Sequence, residues 1–449
     1  MSKSVYFFNK IKKFKKKIFI DGDKSLSIRW ALLSSLAIGR SRAYNLLKSE
    51  DVLNTLKALK KLGVKVYYKK KFHEIVGNGL NSFEYNNNTI INAGNSGTLG
   101  RLILALLIKS TKKIKLVGDK SLSKRDFSRI IDPLSKIGAS FYPKNKNTLP
   151  LIMEGTNFTR PIKYYENKGS AQCKSSIMLA ALNSPGKTFI KAKKSRDHTE
   201  ILFKNLKIPI KIKKTKKYDY ITVLGEKNFR AFNYKIPSDI SSSAFFIVLT
   251  LLTKGSELTI KNVNINPSRI GIILILNKMG AKITLKNKKK YKGEQIADIN
   301  VKSVKKLKAI NCPTKFNSNA IDEFLIIFLA AARAKGISHF KKLEELNQKE
   351  SKRLNLGSKI LNMIGIKTIL TKNSIKIYGQ PNLELNGHYE IKNYSKDHRI
   401  MAMSTIAALT LGGKWKIRDS ESINTSFPSF LKIVKNLGGK IYNENKKKN

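Results

Sequence analysis

One phrase of apolar and polar positions recurs along the chain: an amphipathic helical stretch, a small-residue break, then a β-prone run. It reads LNTLKALKKLGVKVYY at 53–68, IDPLSKIGASFY at 131–142, IGIILILNKMGAKITL at 270–285, LNLGSKILNMIGIKTIL at 354–370 and FPSFLKIVKNLGGKIY at 427–442. A sixth copy, at 200–212, lacks the glycine. The helical spacing of the apolar residues predicts amphipathic helices. Gly63, Gly138, Gly280, Gly365 and Gly438 stand where left-handed caps would end them, and the residues that follow suit strands. Upstream of each copy lies a more uniformly apolar segment, at 25–36, 98–108, 171–182, 241–252, 321–334 and 398–409, which predicts a more buried helix.

Each module therefore reads loop, buried helix, strand, loop, amphipathic helix, strand. Six of them in 449 residues predict an α/β protein of two similar domains, each built from three repeated modules with helices packed on sheets. The repeat by itself leaves the grouping of the modules open.

Composition adds a question about partners. A formal charge of +58 first suggests nucleic acid or an anionic membrane. Of the 88 basic residues, however, 74 are Lys and 14 are Arg, with Asn and Ile also abundant, as nucleotide usage biased toward A and T produces. The lysine runs at 15–17, 69–71, 213–217, 288–290 and 446–448 are dispersed and read as solvated surface near turns or termini. Interleaved aromatics and Arg, which a base-stacking groove needs, are largely missing from them. The expectation is no specific nucleic-acid partner.

Cys173 and Cys312 lie far apart without metal-ligand spacing, as suits a reducing compartment. The apolar stretches at 244–252 and 324–332 fall short of the roughly 18 residues of a spanning helix. No secretory h-region follows the basic N-terminus, so a cytoplasmic location without a membrane partner is expected.

The loops entering the buried helices hold the unusual chemistry. Helix N-termini favour anions through their free N–H groups and dipole. In a chain that uses Lys about five times as often as Arg, Arg29, Arg101, Arg125, Arg129, Arg196, Arg269, Arg353 and Arg399 fall in or just after such loops. Arg offers a planar fork for carboxylate or phosphate that Lys does not reproduce. Small, multiply anionic ligands follow from that placement.

The loop sequences are specific. They are DGDKSLSIR at 21–29, AGNSGTLGR at 93–101, GSAQCKS at 169–175, SRDHTE at 195–200, PSDISSSAFF at 237–246, AIDE at 320–323, QKESKR at 348–353, DHR at 397–399 and DSESINTSFPSF at 419–430. Taken alone, Asp322 reads as a helix cap and Glu350 as an i,i+3 partner of Arg353. In this order and spacing, over roughly 18–442, the set resembles the enolpyruvyl transferase family, in its branch acting on shikimate 3-phosphate.

That resemblance implies two domains of three βαβαββ-like modules each, of the inside-out α/β barrel type. One domain would comprise 1–20 and 239–449, the other 21–238, with the active site in the cleft between them. It implies transfer of the enolpyruvyl group of phosphoenolpyruvate to the 5-hydroxyl of shikimate 3-phosphate, by addition and elimination, in a monomer without metal or redox cofactor. The implied catalytic residues are Asp322, Glu350 and Lys24. Shikimate 3-phosphate would be held by Lys24, Ser25, Arg29, Ser170, Ala171, Gln172, Ser195, Arg196, Asp322 and Lys349. Phosphoenolpyruvate would be held by Lys24, Gly97, Arg101, Gln172, Arg353 and Arg399. With Gly at 97, the resemblance also implies at least partial sensitivity to glyphosate, the family's inhibitor.

Some positions depart from the family pattern. Asp21 stands where Pro is usual, Ile28 where His or Asn is usual, Gly100 where a larger residue is usual, and Thr425 where some members carry a ligand Lys. Two other readings compete. A family member acting on a UDP-amino sugar would need a reactive-Cys loop, to which nothing here matches, and a basic nucleic-acid-binding protein would need the interleaved aromatics.

Overall fold

The computed structural model describes residues 3–443, and the lysine run at 446–448 lies outside them. The chain forms two compact units. A terminal unit comprises Met1–Asp21, Pro237–Lys289 and Gln295–Asn449, and a central unit comprises Gly22–Ile236 and Lys290–Glu294.

Each unit holds three sheets of four strands, all built to one plan. In the central unit, Thr89–Asn92 leads to the helix Gly97–Leu106, and Ile114–Val117 returns parallel to it. After the helix Ser128–Ile137, the strands Ser140–Tyr142 and Leu151–Glu154 complete the sheet in antiparallel pairing. The same βαβαββ order runs from Lys163–Glu166 to Tyr218–Leu224.

Closure of each unit uses strands from opposite ends of its chain. In the central unit Tyr234–Lys235 lies parallel to Ile38–Tyr44 and supplies the strand that the first module lacks. In the terminal unit Lys15–Phe19 lies parallel to Glu257–Asn264, while Val5–Phe7 sits between Gly412–Ile417 and Tyr442–Asn443.

The two helix types behave as their patterns predict. Ser128–Ile137 buries Ile130, Pro133, Leu134 and Ile137 on one face. Ile240–Leu252 is buried everywhere except Leu252, and His398–Leu411 throughout, as expected of helices apolar on every side. Each unit has its own apolar core.

The five cap glycines have φ between +81° and +136°, the left-handed region that ends a helix without a Cβ penalty. In the copy without a glycine, Lys207 takes that position at φ +57°.

Two expectations need correction. The helix expected over 321–334 is Phe324–Ala332, because 321–323 form a turn after the short helix Asn317–Ala320, and Ala334 already begins the strand Ala334–Phe340. The lysine runs at 15–17 and 288–290 lie within strands, not at turns, and 213–217 begins in one. Their charge is solvated because each sheet turns one face to water. No helix among the described residues is long and apolar enough to cross a membrane.

Candidate active site

The starts of the buried helices gather polar residues because the sequence places an Asp or Ser just before five of the six apolar runs. Asp23, Ser96, Ser170, Asp239 and Asp397 each accept a backbone N–H of their own helix, from Leu26 (2.9 Å), Leu99 (3.2 Å), Cys173 (3.2 Å), Ser241 (2.7 Å) and Arg399 (3.0 Å). Such caps fix where each helix begins, and so where the next side chains stand. The Phe324–Ala332 helix has no side-chain cap. Asp322 lies in the turn just before that helix.

In the central unit, Arg29 is buried and ties three helices together. Its Nε donates to Thr199 Oγ1 (2.8 Å), and its two Nη atoms donate to Ser175 Oγ (3.0 Å) and the Ser25 carbonyl (3.2 Å). Hydroxyls and a carbonyl orient this guanidinium. Ser195 and Arg196 lie half-buried in the loop entering the helix that carries Thr199. Behind them Lys174 and Glu200 form a fully buried ion pair at 2.6 Å.

Arg101 joins its own helix to the one that carries Ser175. Its Nη1 donates to Gln172 Oε1 (2.6 Å), its Nη2 to the Asp126 carbonyl (3.2 Å), and its guanidinium lies 5.1 Å from the centre of the Phe127 ring. Gln172 Nε2 in turn donates to Thr98 Oγ1 (3.1 Å). Gly97 sits beneath this cation, and Arg125 is held beside it by Asn95 Oδ1 at 2.9 Å. Lys24 opens its helix with Nζ 2.8 Å from Asp51 Oδ2. Ser25 and Ala171 occupy first turns and are half-buried, while Ser170 caps the helix that Ala171 begins.

The terminal unit brings together Asp322, Lys349, Glu350, Arg353 and Arg399. Oδ1 of Asp322 lies 3.3 Å from Lys349 Nζ and 3.6 Å from Arg353 Nη1, and Oδ2 lies 3.9 Å from Arg399 Nη2. Arg353 is buried, gripped by Asp397 through Nε (2.8 Å) and Nη2 (3.1 Å), and also donates to Glu350. Burial opposes its charge, but Asp397, Glu350 and Asp322 outweigh that and hold the guanidinium protonated above its ordinary range. Burial likewise works against an ionised Asp397, and the facing Arg353 keeps its carboxyl below the usual carboxylate range. Ser351 adds a hydroxyl donor to Asp397 at 2.8 Å.

The candidate residues thus form two sets, one in each unit. Glu350 does pair with Arg353 at i,i+3, but in a half-buried cluster rather than on open surface. Thr425 Oγ1 lies 3.4 Å from His398 Nδ1 and offers no cation.

Several supporting residues were not singled out from the sequence. Asp51 looks like an ordinary acid in a helix's first turn, and Asp397 like an ordinary cap. Thr199 and Ser175 carry no sequence signal beyond lying in the quoted loops. Cys173 and Cys312 are buried free thiols, pushed by that burial up to about 12 and about 11, which leaves neither poised as a nucleophile.

Six repeated modules on one βαβαββ plan define a class of fold. NikO, an enolpyruvyl transferase from Streptomyces tendae, shares it with a TM-score of 0.75 over 99% of this chain and 99% of that one, at 13% identity. The likeness is closer to EPSP synthase from Acinetobacter baumannii, with a TM-score of 0.86, 33% identity and coverage of 99% of this chain and 100% of that one. A 3-phosphoshikimate 1-carboxyvinyltransferase from Ruthia magnifica subsp. Calyptogena magnifica is 39% identical over 427 residues, 94% of this chain and 95% of that protein. Residues 8–434 match the model of the EPSP synthase (3-phosphoshikimate 1-carboxyvinyltransferase) family, and the chain belongs to that family.

Proposed function

We propose that this chain, a shikimate-pathway transferase by its family, moves the enolpyruvyl group of phosphoenolpyruvate onto the 5-hydroxyl of shikimate 3-phosphate and releases phosphate. The observation that carries the residue assignment is the Asp322 cluster. A half-buried carboxylate faces three cations within 3.9 Å, and a second carboxylate, Glu350, sits on one of those cations.

In the first stage the 5-hydroxyl oxygen attacks C2 of phosphoenolpyruvate, Asp322 takes the hydroxyl proton, and C3 gains a proton. In the second stage the tetrahedral ketal expels phosphate and returns a proton from C3, so the enol ether forms without net gain or loss of protons at carbon. Two carboxyls in different surroundings suit this exchange of acid and base roles. Glu350 and Lys24 carry the C3 proton traffic. The carboxylate of phosphoenolpyruvate competes with Glu350 for Arg353 and so frees Glu350 to act.

Arg101, Gln172 and Arg399 hold the remaining charge of phosphoenolpyruvate, with Gly97 giving its phosphate room. Arg29, Ser170, Ser195, Arg196 and Lys349 hold shikimate 3-phosphate, together with Ser25 and Ala171. Hydrogen bonds to charged groups of this kind contribute about 1.5–3 kcal/mol each, and cations fixed in advance also stabilise charge developing at the ketal. The chain acts as a monomer and needs no cofactor.

The proton assignment is tested by solvent-deuterium exchange at C3 in Glu350→Gln and Lys24→Met. Exchange slowed by about a hundredfold in either variant is expected. Wild-type exchange rates in both would remove them from this role.

A further inference from the structure

The sheet ordered Lys163–Glu166, Lys187–Lys193, Tyr218–Leu224 and Ile210–Lys214 presents to solvent what the lysine runs lack in sequence. Its register places Tyr165 beside Lys191, Lys191 beside Tyr220, and Tyr220 beside Lys213. One rung therefore crosses four strands as ring, cation, ring, cation. Two residues along, Phe189 joins the same face, because side chains at i and i+2 share a face. Tyr165, Phe189 and Tyr220 are 46%, 42% and 41% exposed. The Lys191 ammonium stands 5.1 Å from the centre of the Tyr165 ring and 4.7 Å from that of Tyr218.

Among the described residues neither Lys191 nor Lys213 forms an ion pair; the pairs beside this sheet include Lys194 with Asp219 at 3.7 Å and Lys214 with Asp197 at 2.7 Å. The acids within these strands, Glu166 and Asp219, are 3% and 4% exposed. Acids also hold cations of the other sheets. Glu74 answers Arg40 and Arg42, Glu154 faces Lys113, Asp298 holds Lys261, and Glu390 holds Arg418 and Lys392. The sheet built on Ala334–Phe340 carries a single tyrosine, Tyr378.

We infer that this face is a platform for single-stranded nucleic acid, bound without regard to sequence. Exposed rings interleaved with lysines across a sheet offer π-faces for bases and cations for phosphates. A duplex hides the base faces that the rings would meet. An anionic lipid surface would use the cations and leave the ring spacing without purpose. The chain's general positive charge brings polyanions to the surface, and this sheet gives them a place to stack.

Fluorescence anisotropy of a labelled oligothymidylate with the full chain, across a salt titration, tests the inference. Combined Tyr165→Ala, Phe189→Ala and Tyr220→Ala should weaken binding at least about tenfold while leaving phosphate release by the enzyme unchanged. A control with Lys69→Gln, Lys70→Gln and Lys71→Gln should bind as the parent does. If the ring variant loses phosphate release and is misfolded, Lys191→Gln with Lys213→Gln replaces it and should weaken binding and flatten the salt dependence. Three results would overturn the inference: undiminished binding by the variants, equal competition by duplex DNA of the same length, or ring-dependent capture of anionic vesicles without oligothymidylate binding.

Discussion

A Cβ on Gly97 would stand 2.9 Å from Nη1 of Arg101 and 3.0 Å from Nη1 of Arg125, so the residue that opens this helix also sets where two guanidiniums lie. Overpacking of this kind costs about 1–3 kcal/mol. Gly97→Ala is therefore expected to raise the KM for phosphoenolpyruvate about tenfold and to weaken glyphosate inhibition further, with the fold intact. Unchanged inhibition in steady-state assays would show that Arg101 does not meet the inhibitor. Asp397 makes a second residue-scale case. Its folded-state carboxyl lies below the usual range once Arg353 has outweighed burial, so its stabilisation is present above the unfolded pKa of about 3.9 and is lost as pH falls through the lower folded value. Asp397→Asn should cost roughly 3 kcal/mol at neutral pH by stranding part of a buried charge. In urea unfolding that gap should narrow below about pH 4, and a gap constant from pH 7 to pH 3 would contradict the assignment. From the sequence, Arg353 stood out because arginine is scarce in a lysine-rich chain, whereas Gly97, one of three glycines in 93–101, was reached only through the family resemblance. Asp397 and Asp51 did not stand out, because an acid at a helix start has the same appearance whether it caps a helix or positions a neighbouring cation.

At the scale of elements, the repeat was readable because helix ends announce themselves. The five glycines after amphipathic helices all adopt positive φ, as the cap reading requires. The copy without glycine forms the same turn with Lys207 at φ +57°, where an L side chain is strained by about 1 kcal/mol. Lys207→Gly should accordingly stabilise the chain by up to about 1 kcal/mol in denaturant unfolding, and a destabilisation would mean that the lysine side chain contributes a contact outweighing the strain. Boundaries were less legible where no cap exists. The segment from Ile321 to Glu323 is apolar and acidic enough to continue a helix, yet it turns after Asn317–Ala320, and that turn places Asp322 beside Lys349, Arg353 and Arg399. The strands that close each unit were hidden for a different reason. Tyr234–Lys235 and Val5–Phe7 pair with strands far away in sequence, and short runs carry no periodicity that names their partner.

For the molecule as a whole, the +58 charge was the loudest number in the sequence and says least about the reaction. Charge sums register every lysine on the solvent faces of the sheets, whereas the proposed catalysis rests on a handful of arginines at helix entries. Local pattern revealed where those arginines lie along the chain, and only folding shows which of them share a carboxylate. The cross-strand alternation of Tyr165, Lys191, Tyr220 and Lys213 was equally invisible, because neighbours on a sheet face need not be neighbours in sequence. The central claim is that this chain joins two anionic substrates through Asp322 and its surrounding cations. Phosphate release from phosphoenolpyruvate, followed with and without shikimate 3-phosphate, tests it most directly. Release should require both substrates, fail with unphosphorylated shikimate, and fall at least about a hundredfold in a folded Asp322→Asn variant. Absence of release with both substrates present, or equal release without shikimate 3-phosphate, would contradict the account.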